Sequence, residues 1–157
     1  MLPEAIPTWT DVVLRLLAAT AMGGAIGLDR ELTQKPAGLR THALVALGAA
    51  LVTASALQLG VRSDLTHADP ASRVIQGIVA GIGFIGGGVI LHSDRNVRGL
   101  TTAASIFVAA ALGVSCGIGQ WRVAGVAAGI TLVVLTLGRP LEEALHRAKG
   151  NNDTTAK

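Results

Sequence analysis

The sequence predicts an all-α membrane protein, a bundle of five transmembrane helices. Three observations carry this. Half of the 157 residues are apolar, and the mean hydropathy is +0.55. Only 15% are charged, where an average soluble domain has roughly 25%. The apolar residues also fall in blocks that match the roughly 17–25 residues a helix needs to cross the hydrocarbon core. The same figures exclude a disordered chain, a disulfide scaffold and a basic nucleic-acid-binding domain.

The blocks are 12–28, 43–61, 74–91, 102–119 and 121–138, and none contains Asp or Glu. They define a transmembrane domain over 12–138, an outer segment over 1–11 and a short cytoplasmic tail over 139–157. In the first block, Arg15 follows Asp11 by four residues, a favourable pair on one helix face, and its long stem suits snorkelling to the interface. Residues 1–11 hold Glu4 and Asp11 but no Lys or Arg. The positive start of a signal peptide is missing, so the first helix is expected to be retained.

Orientation follows from Lys and Arg near the helix ends. Nine fall on the side of the first loop, the third loop and the tail, against three on the other side. That predicts a cytoplasmic C-terminus and an outer N-terminus. Trp9 and Trp121 both fall at the outer interface, where amphipathic rings anchor.

The two cytoplasmic loops resemble each other. Each opens with Asp-Arg, at Asp29 and Asp94, and each closes with Gly-Leu-x-Thr, ending at Thr41 and Thr102. An offset of 61 then aligns Ala43 with Ala104 and Leu51 with Leu112, given a four-residue insertion in the first loop. Two repeated helical hairpins, parallel about the membrane normal, with the fifth helix at their side, are the expected arrangement.

Gly81, Gly83 and Gly86 satisfy G-x-G-x-x-G, but inside an apolar span and with no acid about twenty residues on. A dinucleotide site is therefore rejected. Small residues four apart let helices approach closely in lipid, which explains Gly77 with Gly81 and Gly83 with Gly87. Similar pairs mark the first, fourth and fifth helices. They predict a homo-oligomer, most simply a dimer. Gly86, Gly87 and Gly88 in a row predict a break whose free carbonyls line a cavity. Gln76 is read as interfacial or as a hydrogen-bonding partner between helices, and Cys116 as a small apolar residue. The four histidines show no metal-binding spacing.

Polar chemistry is densest on the cytoplasmic side. Asp29 and Glu31 end the first helix, where the dipole disfavours acids, so Arg30, Arg40, Arg95 and Arg98 are expected to compensate them. Thr41 and Thr102 are expected as helix caps that bring Arg40 and Arg98 back toward Asp29 and Asp94 in a shielded cluster. An ion-paired network is favoured there over a hydrated magnesium ion, so no cofactor is expected.

These residues also carry a resemblance. The runs 24–31 (GAIGLDRE), 36–51 (PAGLRTHALVALGAAL), 69–91, 96–105 (NVRGLTTAAS) and 113–120 resemble the MgtC/SapB family of bacterial inner-membrane proteins. Asp29, Arg30, Arg40, Thr41, Asn96, Arg98, Gly99 and Cys116 match its motifs, whereas position 108 is Val108 where some members have cysteine. The resemblance implies adaptation to magnesium limitation, ion or membrane-energy homeostasis, and virulence in pathogens. Longer members carry a further soluble domain. The leading expectation is a non-enzymatic regulator that binds another inner-membrane protein; a cation transporter or channel is the alternative. No nucleophile–base pair points to an enzyme.

Overall fold

The computed structural model describes residues 8–62, 70–93 and 96–154. It contains five helices: α1 (Trp9–Leu32), α2 (Leu39–Arg62), α3 (Pro70–Val89), α4 (Leu100–Ile118) and α5 (Trp121–Thr154). Each is long and apolar enough to cross a membrane. The architecture is the expected, nearly all-helical one, and a short antiparallel hairpin, β1 (Leu91–Ser93) with β2 (Asn96–Arg98), joins α3 to α4.

The helices repeat their neighbours. α2 and α4 pack on each other, α1 and α3 each pack on both, and α5 lies against α4 and α1. Two similar hairpins facing each other across a pseudo-twofold axis have this pattern of contacts. α2 and α4 start 61 positions apart, at Leu39 and Leu100, but the buried faces of α1 and α3 do not keep that offset: buried Gly23, Ile26 and Gly27 would fall on Phe84, Gly87 and Gly88, which are exposed. Asp29 sits in the last turn of α1, whereas position 94 lies past the end of α3, outside the described residues.

Lipid supplies no hydrophobic drive between helices, so close backbone packing has to hold them. Around α1, α2 and α4 the glycines provide it. A Cβ on Gly23 would stand 2.6 Å from the His42 carbonyl oxygen, and one on Gly117 would stand 2.8 Å from that of Ala50. One on Gly113 would run into the Ala46 carbonyl. Ala19, Ala46, Ala50, Leu112 and Cys116 fill the centre, and α5 closes it with Ala124, Ala128 and Leu135. A second cluster of Ala49, Ile82, Ile106 and Ala110 seats α3.

One expectation about the helices is corrected. α3 runs unbroken through Gly86, Gly87 and Gly88, and the Ile90 amide still bonds the Gly86 carbonyl. Glycine costs a helix about 1 kcal/mol per residue, but an unsatisfied backbone group in hydrocarbon costs several, so the helix persists. The apolar span of α5 is Trp121–Gly138, and the helix itself continues through Pro140 to Thr154. Proline forfeits one backbone bond, which a long helix tolerates locally. The glycine stripes also divide. Those of α1 and α4 are packed, while Gly77, Gly81, Gly83, Gly87 and Gly88 on α3, and Gly125 and Gly129 on α5, face open space.

Candidate functional site

The site lies where α1 ends and α2 and α4 begin. Arg30, in the last turn of α1, is only 3% exposed, and its Nη2 donates to the Thr102 hydroxyl of α4. His42, in the first turns of α2, is fully buried. Its Nδ1 lies 3.0 Å from the Gly38 carbonyl and its Nε2 lies 2.9 Å from Ser105 Oγ. Ser105 Oγ is also 2.8 Å from the Thr102 carbonyl. One chain of polar contacts therefore ties three helices together, and all four residues are buried.

Hydrogen-bond bookkeeping narrows the roles. A carbonyl only accepts, so His42 Nδ1 carries the proton that goes to Gly38. At Nε2 the role follows the ring's protonation: a bare Nε2 competes with the Thr102 carbonyl for the Ser105 hydroxyl proton, whereas an Nε2–H donates to Ser105 Oγ and leaves that proton to the carbonyl. Arg30 adds a charge that bonds at the Thr102 side chain. Buried charges and amphoteric groups held this way are costly in a membrane and mark function more often than packing.

The local sequence sets this geometry. Gly99 precedes α4 with φ +91°, a left-handed conformation, and a Cβ there would collide with the Val89 carbonyl. Glycine permits both. α4 begins at Leu100, so Thr102 is its third residue. Thr102 is therefore not the cap that was expected, and its side chain turns inward. α2 begins at Leu39, and the group that meets its first amide is Glu31, whose Oε2 accepts from Leu39 N at 2.9 Å. Thr41, the counterpart of Thr102, is exposed. The loop between holds Gln34 at φ 54° and Ala37 at φ 57°.

Of the residues expected in the shielded arginine–carboxylate cluster, Arg40 and Arg98 are both exposed. Arg40 and Thr41 instead line an open depression with Glu31, Gln34, Lys35 and Gly38. Asp29 is half-buried, and its carbonyl accepts from the Thr33 amide and hydroxyl. Asp94 and Arg95 lie outside the described residues, and Asn96 is described by its backbone, opposite Ser93 in the hairpin. Among the described residues, no three of His, Cys, Asp and Glu gather as a metal-binding group. Cys116 is buried far along α4, its Sγ 3.9 Å from the sulfur of Met22.

At the opposite end, Arg15 does more than snorkel. It pairs with Asp11 at 2.8 Å, as expected, and its Nη1 also donates to the Gly117 carbonyl at 2.8 Å. A cation thus sits at the C-terminal end of α4, where the helix dipole favours it.

The architecture and this polar knot stand beside a direct comparison: the family model described as MgtC family matches residues 16–144. The chain belongs to the MgtC family. It is 44% identical to Protein MgtC of Salmonella typhimurium over 135 residues, covering 86% of this chain and 54% of that protein. Protein MgtC of Brucella abortus is 44% identical over 131 residues, covering 83% of this chain and 52% of that protein. Protein SrpB of Synechococcus elongatus is 40% identical over 136 residues, covering 82% and 75% respectively. The chain spans about half the length of the MgtC relatives it matches. No solved structure matches it.

His42 and Ser105 are the site residues that motif reading missed. The signal was present: His42 is an ionisable side chain near the start of an apolar span, a functional position by default in a membrane helix. A search for metal-ligand spacing passes over it. Ser105 carries no such signal, since serine is common in transmembrane helices.

Proposed function

We propose that this protein is a non-enzymatic regulator of ion or membrane-energy homeostasis under magnesium limitation. It works in the bacterial inner membrane, with its N-terminus outside and C-terminus in the cytoplasm, through contact with another membrane protein. The observation that carries this is how its buried polar groups are used. Arg30, Thr102, His42 and Ser105 hold α1, α2 and α4 to one another, and the same three helices meet backbone to backbone at Gly23, Gly113 and Gly117. Such packing supports a rigid, signal-bearing bundle over a conduit. The glycine break that motivated a transport reading is a continuous helix.

The test uses the full chain in liposomes loaded with magnesium- and proton-sensitive dyes. Fluxes equal to those of protein-free vesicles, together with rescue of magnesium-limited growth in cells lacking their own MgtC-family protein, are expected. Saturable magnesium or proton flux that Thr102→Val abolishes would establish the transporter instead.

A further inference from the structure

The loop between α1 and α2 joins two helices whose apolar spans end at Leu32 and restart at Leu39, which puts it at the level of the lipid headgroups. There Glu31, Gln34, Lys35, Gly38, Arg40 and Thr41 line an open depression of about 570 Å³. The backbone around it is fixed. The Lys35 amide donates to the Arg30 carbonyl at 2.9 Å, and the Gln34 amide donates to the Glu31 carbonyl at 3.0 Å. A Cβ on Gly38 would stand 2.6 Å from Glu31 Oε2, so the glycine lets that wall close in.

The charges of the depression are unequal. Glu31 is the acid among its lining residues, and its Oε2 already accepts from the Leu39 amide at 2.9 Å. Lys35 and Arg40 are exposed, and among the described residues neither forms an ion pair. Gln34 and Thr41, also exposed, add an amide and a hydroxyl. The depression thus offers two cations and two neutral donors, with its carboxylate turned to the backbone. That set suits an anion with several acceptor oxygens. It does not suit a divalent cation, which seeks carboxylate and carbonyl oxygens.

The surroundings choose among anions. Leu28 and Leu32 at the end of α1, and Leu39 at the start of α2, are all exposed. On spanning helices such leucines meet hydrocarbon, so apolar surface begins directly beside the basic depression. A soluble phosphate makes no use of that border. A phospholipid does, because its chains cover the leucines while its phosphate meets the cations. We propose that the depression is a headgroup site for an anionic phospholipid. The Arg40 guanidinium and the Lys35 ammonium take the phosphate oxygens, and Gln34 and Thr41 bond the polar group beyond it.

Lipid binding to the purified full chain in neutral detergent tests this independently of any regulatory role. Native mass spectrometry counts bound lipid during titration with phosphatidylglycerol, with phosphatidylcholine, and with phosphatidylglycerol in excess inorganic phosphate. The proposal expects phosphatidylglycerol to bind in preference to phosphatidylcholine and to resist displacement by inorganic phosphate. Lys35→Gln and Arg40→Gln should each weaken that binding about five-fold, the effect of one basic residue near an anionic lipid surface. Arg98→Gln removes an exposed cation at the same end of the bundle but outside the depression, and it should leave binding unchanged. All three side chains are exposed, so the variants keep the fold, and thermal unfolding without lipid verifies it. Equal binding of the two lipids, displacement by inorganic phosphate, or a loss in Arg98→Gln as large as in Arg40→Gln would each overturn it. The last result would mark diffuse surface charge in place of a site.

Discussion

His42 and Ser105 stand 63 positions apart in the chain and 2.9 Å apart in the fold. That contact joins the first turns of α2 and α4, and His42 is held at its other nitrogen by the Gly38 carbonyl, 3.0 Å away.

The first prediction concerns this pair. In the neutral ring the proton sits on Nδ1, so nitrogen NMR of histidine-labelled protein should show the Nδ1-protonated tautomer at His42. Ser105→Ala removes the group facing Nε2 and leaves a buried ring nitrogen unpaired, a loss of about 1–3 kcal/mol. Thermal unfolding in detergent should register it. A ring protonated at Nε2 alone, or no change in unfolding, would contradict the geometry.

A second prediction separates glycines that pack from glycines that do not. Gly117→Ala puts a Cβ against the Ala50 carbonyl and Thr53, so it should destabilise by about 1–3 kcal/mol through overpacking. Gly125→Ala meets nothing within the chain and should be neutral or gain up to about 1 kcal/mol from helix propensity. Unfolding of the two variants side by side decides the matter.

Glu31 supplies a third. Its carboxylate reaches from the end of α1 to the first amide of α2, so Glu31→Ala should cost about 0.5–2 kcal/mol, as lost helix caps do. Glu31→Gln keeps an acceptor oxygen and should lose less. Hydrogen exchange at the Leu39 amide is the local readout, and it should speed up most in the alanine variant.

Much of this molecule was legible in its sequence. Uninterrupted apolar blocks mark the five helices. The Gly-Leu-x-Thr echo marks where α2 and α4 begin, but it does not say which faces are buried: Thr102 is buried and Thr41 exposed. Composition does not separate the arginines, yet Arg30 is buried and Arg40 exposed. Only the helical phase and the point where α1 ends distinguish them. The same holds for Thr102, whose side chain turns inward because α4 begins two residues earlier, at Leu100. Glu31 reads as a charge in need of compensation, and its carboxylate accepts from the Leu39 amide.

The central claim is that the buried knot, not the exposed basic rim, carries the function of this MgtC-family protein. Thr102→Val is its most direct test, because valine matches threonine in shape and removes only the hydroxyl that receives Arg30. The measurement is growth in limiting magnesium of cells that lack their own MgtC-family protein, with membrane levels of each variant matched by immunoblot. The account predicts that Thr102→Val fails to restore growth while Arg122→Ala, at an exposed position on α5, restores it fully. Full rescue by Thr102→Val at wild-type abundance would contradict it.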